Sequence, residues 1–222
     1  SRPDEWRHLV ARMERARDTG ADVVPQVLPR ATGVLMGFDL TEHPFTHNAV
    51  YGEVAGRPFA QRLAALRDPA FRTRLLQQMP VAAALEQRHT TWAKLYRFGA
   101  TPRYEPAAED SVQAIAMNSG RRPTEVAYDL MLERDGTGLL YRPVSNFAAG
   151  NLDAVREMLL QPHAIVGLGD GGAHVGQVCD SNALVFLLTH WTRDRARGGR
   201  LSLPWAVRRG TRDNALVMGL PD

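Results

Sequence analysis

Three segments of this 222-residue sequence read as β-strands, at 21–30, 138–143 and 163–168, and helix separates each from the next. Strands alternating with helices are the rhythm of an α/β protein with a parallel sheet. A parallel sheet needs cover on both faces, and one this small cannot form a self-sufficient layer. A closed (β/α)8 barrel takes eight strands in about 250 residues. The expected fold is therefore α/β, a partial TIM (β/α)8 barrel with a helical insertion at about 32–100.

The helices carry their own punctuation. Trp6, Leu9, Val10 and Met13 recur at helical spacing, with Gly20 as a stop, so a helix over about 4–18 is expected. Between Thr32 and Gly99 the strand signal disappears. Pro58–Leu66, Pro69–Met79 and Val81–Gln87 read as short helices, several opened by proline, and 38–51 reads as an ordered loop. Further helices are expected at 110–118, stopped by Gly120, at 124–133, at 151–160 capped by Asn151, at 181–191, at 204–209 and at 211–218. A long excursion between strands often serves as a lid or pocket wall.

The third strand runs into a loop rich in chemistry, His163-Ala-Ile-Val-Gly-Leu-Gly-Asp170-Gly-Gly-Ala-His174. Polar residues at the end of a buried strand commonly aim chemistry into a pocket. Gly167, Gly169 and Gly172 formally spell G-x-G-x-x-G. A dinucleotide site would need a helix opening on those glycines and a further strand ending in an acid. The next helix starts only near Ser181 and no strand comes after it, so that reading is set aside. Asp170 fits metal-assisted hydrolysis better. A divalent metal lowers the pKa of bound water from about 16 to about 7, and a nearby carboxylate can carry the proton to a leaving amine. The plain alternative is an aspartate bonding its own tight turn.

His174 can contact substrate or steady a developing oxyanion. Arg30, at the end of the first strand, can clamp a substrate carboxylate through its planar fork, or simply line the rim. Tyr141, Arg142 and Asn146, after the second strand, carry the same ambiguity. His43 and His47 are four apart, but Pro44 argues against a shared helix face. No His-x-His, His-Glu-x-x-His or Cys-x-x-Cys occurs, so Asp170 is the single well-placed metal ligand.

The lone cysteine, Cys179, has no histidine partner at a recognisable spacing and suits a reducing compartment, so a cytoplasmic location is expected. No apolar run approaches the roughly 18–20 residues that span a bilayer, and no membrane partner is expected. Net charge is +3, and seven arginines crowd residues 193–212. Such a cluster can bind an anion or nucleic acid, or simply form a solvated surface rich in arginine. Aromatic residues are not interleaved as strand stacking requires, so nucleic acid is disfavoured.

The block Gly169-Asp-Gly-Gly-Ala-His-Val-Gly-Gln-Val-Cys-Asp180, then Leu-Leu-Thr-His-Trp-Thr-Arg-Asp-Arg195, resembles amidohydrolases of the D-aminoacylase type. So do Leu203-Pro-Trp-Ala-Val-Arg-Arg-Gly-Thr-Arg-Asp-Asn-Ala215, the closing Gly-Leu-Pro-Asp222, and upstream Gln26-Val-Leu-Pro-Arg and Asn151-Leu-Asp-Ala-Val-Arg-Glu-Met. The resemblance implies a zinc-dependent N-acyl-D-amino-acid deacylase on a distorted barrel. Asp170 would be its proton shuttle and could also touch a second metal. The substrate would be an N-acyl amino acid or a similar amide. The family's metal-binding histidines, its bridging ligand and its small β-sandwich match no segment here, and Gly169 stands where relatives often have serine. The expectation is the C-terminal portion of a larger enzyme, without tight zinc binding by itself and prone to self-association or to pairing with the rest of the barrel. The alternative is an inactive, arginine-rich binding module of the same fold.

Overall fold

The computed structural model describes residues 4–78, 91–167 and 181–220. The architecture is mixed α/β, mostly helix, with two small sheets. The chain divides into two compact units.

The first unit takes in the start of the chain to Thr32 and most of the sequence from Val144 onward. Its helix α1 (Glu5–Asp18) matches the apolar periodicity. Strand β1 is only Gln26–Val27, because Pro25 and Pro29 on either side lack the N–H that a ladder needs. It pairs in parallel with the last strand, β5 (Ile165–Val166), with Ile165 N–H donating to Pro25 O and Gly167 N–H to Val27 O. Alternate residues of a strand face opposite edges, so Ala164 and Val166 turn away from β1. Their carbonyls are taken by side chains instead: Arg209 donates to Ala164 O at 2.7 Å and Asn214 to Val166 O at 2.9 Å.

Those residues come from helices α9 (Leu203–Gly210) and α10 (Arg212–Val217), both close to their expected positions. Helix α7 (Asp153–Leu159) begins after Asn151, whose side chain accepts the Asp153 N–H at 3.0 Å. Helix α8 (Ala183–Thr189) runs into a wider π turn, His190–Asp194, that seats Trp191 in the interior.

The second unit, built on residues 33–143, departs from the expected helical insertion. It holds a three-stranded antiparallel sheet in the order β2 (Gly33–Met36), β4 (Leu139–Pro143), β3 (Tyr96–Phe98). Two of these strands lie where no strand is expected, and β4, the expected second strand, pairs antiparallel. Strands of three or four residues are too short to display a period, and their pairing is long-range. Gly33 also conceals its role: the Tyr141 ring lies where a Cβ would sit, so only glycine fits.

Helices α2 (Ala49–Gly52), α3 (Phe59–Arg67), α4 (Pro69–Gln77), α5 (Val112–Ser119) and α6 (Pro123–Gly136) pack this unit's core. Their starts obey the local chemistry. Asn48, Asp68 and Ser111 accept N–H groups of the first turns of α2, α4 and α5. Gly120 ends α5 at φ 64°, as its position predicts. Helix α6 is broken after Leu132 by left-handed backbone at Arg134 and Asp135. The expected helix at 81–87 lies outside the described residues.

Candidate functional site

The loop that carries the chemistry expected from sequence follows β5 in the chain. Asp170, His174 and Cys179 lie outside the described residues. The residues that bracket them are both tied to the segment 27–30. Gly167 N–H donates to Val27 O at 3.1 Å, where β5 ends. Asn182, where the described chain resumes, accepts from the Arg30 Nη1 through its Oδ1.

Arg30 is not on a rim. It is 1% exposed, its Nε donates to Ala31 O at 3.2 Å, and its own carbonyl accepts from Asn146 Nδ2 at 3.3 Å. Asn146 reaches it from a left-handed backbone, φ 58°, a conformation uncommon outside glycine. Next to Arg30, the Pro29 carbonyl accepts the Trp191 indole N–H at 2.6 Å. Three side chains from two separate stretches, Asn146 and the 182–191 segment, therefore hold Pro29 and Arg30 in place. Sequence reading passed over Asn182 and Trp191. Their signal is slight: a polar residue opening an apolar helix and a tryptophan closing it.

Tyr141 and Arg142 belong to β4 of the second unit. His43 also sits there, buried among Phe38, Tyr51 and Phe45. Its Nδ1 accepts the Phe45 N–H at 3.1 Å, which leaves it core rather than ligand chemistry. Burial first, then the charge of Arg62 and the neighbouring His47, pulls its pKa down from 6.5 to about 3. The imidazole is neutral at physiological pH.

Of the seven arginines of 193–212, Arg195 and Arg209 are buried and the other five are exposed. Arg195 is buried over the Trp191 ring and donates to Asp153 Oδ1 and Gly199 O. Arg200 donates to Arg195 O, Arg208 pairs with Asp213, and Arg209 is buried against Gln161 and Ala164 carbonyls.

Among the described residues, no three His, Cys, Asp or Glu side chains stand together as a metal site. The described residues thus do not supply the ligand set a zinc ion requires. No described helix is long and apolar enough to cross a membrane. Compared with protein families, with characterised proteins and with solved structures, the chain matches none.

Proposed function

We propose that the chain is the closing portion of a (β/α)8 amidohydrolase that cleaves the C–N bond of N-acyl amino acids or similar amides, with Asp170 as its proton shuttle. One observation carries this reading. Gly167 and Asn182 bracket the Asp170-Gly-Gly-Ala-His174 loop; Gly167 is tied to Val27 at the end of β1 and Asn182 to Arg30, three residues further on. That end of a parallel α/β unit is where catalytic loops gather.

In this reading the Asp170 carboxylate takes a proton from the water that attacks the amide carbonyl. It then hands that proton to the leaving nitrogen as the C–N bond breaks. His174 donates to the oxygen that gains charge. Arg30 acts by way of Asn182, as a positioning residue for the end of the loop. A direct grip on a substrate carboxylate would require it to exchange that bond. Zinc belongs to this reading through the resemblance alone, and apart from Asp170 the family's ligands match no segment of this chain.

The exposed apolar side chains Leu184 and Val185 on α8 and Leu203 and Val207 on α9 suit a unit that packs against further protein. That protein would be the rest of the barrel or a second copy of the chain. The test is a screen of N-acetyl-D-amino acids with the full-length polypeptide, together with metal analysis. Asp170→Asn is expected to cut turnover by about 10² or more with an unchanged melting temperature. Wild-type turnover in that variant would remove Asp170 from the mechanism. An absence of amide hydrolysis in the metal-loaded, full-length protein would remove the enzyme reading itself.

A further inference from the structure

We infer that the first unit carries a second binding site, for a small organic anion with an apolar body, at the end of the parallel pair opposite to Arg30. A cleft of about 530 Å³ opens there, lined by residues that precede the two strands, Asp22 and Val24 before β1 and His163 before β5. Volumes of 300–1,000 Å³ are typical of sites for metabolite-sized ligands.

The lining has the two halves such a ligand needs. Trp205, Ile165, Leu216 and Val217 supply an apolar wall, and the last two are 50% and 46% exposed. Against it stand Arg17, Arg208 and Arg209, facing Asp22 and Asp213, so the charge balance favours an anion. The three arginines are not equivalent. Arg209 is committed to backbone carbonyls and stacks 5.4 Å from the Trp205 ring. Arg208 holds Asp213 at 3.0 Å. Arg17 donates one bond, to Val23 O at 2.8 Å, and has no carboxylate partner among the described residues. The Trp205 indole N–H likewise has no acceptor among them. A partly buried guanidinium with an unmatched charge beside an aromatic face is suited to a carboxylate or phosphate carried on an apolar group. Arg17, His163 and Trp205 are far apart in sequence and fit no motif, so the chain order does not reveal the site.

The experiment tracks the Trp205 indole N–H by NMR, assigned with Trp205→Phe, while phenylacetate, phenyl phosphate or phenethylamine is added. A saturable shift with at least one anion, at a Kd of about 1 mM or tighter, is expected, and none with the amine. The two anions separate a carboxylate site from a phosphate site. Arg17→Gln is expected to weaken the binding about tenfold and Arg17→Lys to weaken it less, with circular dichroism confirming the fold. If Arg17→Gln does not fold, Arg208→Gln serves in its place, with a smaller expected loss. No saturable shift with either anion, equal binding of the amine, or unchanged affinity in the arginine variant would overturn the inference. Because the readout is binding, it stands or falls apart from amide hydrolysis.

Discussion

In the unit built on the antiparallel sheet, Phe38, Phe45, Tyr51 and Tyr128 meet edge-on and stacked among aliphatic side chains. In the unit built on β1 and β5, the buried interior includes Arg30, Arg195 and Arg209, and these are the buried arginines among the described residues. The first interior is stabilised by removing apolar area from water, at about 25 cal/mol per Å². The second adds to its apolar interior side chains that reach into the backbone: Trp191 to Pro29, Arg195 to Gly199, Arg209 to Ala164 and Asn214 to Val166. Apolar packing tolerates substitutions of similar shape. A buried hydrogen bond does not, since the partner left behind carries the desolvation cost. Tyr128 and Asn48 make such bonds in the aromatic unit too, but among the described residues only the other unit does so with buried arginines.

The contrast can be broken by substitution. Phe38→Ala empties the centre of the aromatic cluster and is expected to cost about 3–5 kcal/mol in urea unfolding. A loss below about 1 kcal/mol would deny that packing dominates there. Arg195→Met keeps much of the volume and removes the guanidinium. Asp153 is 58% exposed and stays hydrated, so the loss comes from the charged bond to Gly199 O and the stacking over Trp191, about 1–3 kcal/mol together. A methionine variant as stable as the parent would show that packing dominates in the first unit as well.

His43 sharpens the comparison through pH. Its folded pKa lies below its ordinary value, so the neutral form stabilises the fold above pH 6.5. As pH falls below 6.5 towards about 3, the unfolded chain gains a proton that the folded chain refuses. Stability should fall by up to about 1.4 kcal/mol per pH unit. His43→Asn keeps an acceptor for the Phe45 N–H without a titrating ring. Its stability between pH 6.5 and about 5, above the carboxylate range, should be flatter than the parent's. Parallel slopes would mean that His43 is not the acid-sensitive group.

Much of the helical framework was legible in the residues. Trp6 to Met13, the prolines opening α3 and α4, and Gly120 each mark an element through a local rule. The sheets were less so. Gly33–Met36 and Tyr96–Phe98 are strands only because Leu139–Pro143 lies between them, a long-range pairing that no local window contains. At the candidate site, sequence pointed to Arg30 but not to the groups that hold it. Asn146, Asn182 and Trp191 come from segments more than a hundred residues away, and only folding brings them together.

The arrangement on the outer edge of β5 has a consequence for assembly. Arg209 and Asn214 already occupy the carbonyls that a neighbouring strand would seek, and the Asn214 Oδ1 is itself buried with no donor among the described residues. A strand joining this edge would therefore arrive by exchange, displacing two side-chain donors while offering its own N–H groups to the same oxygens. The oxygens keep a donor in that exchange, while the displaced Arg209 and Asn214 side chains lose these acceptors. Addition of a strand at this edge thus costs hydrogen bonding, which apolar burial elsewhere would have to offset.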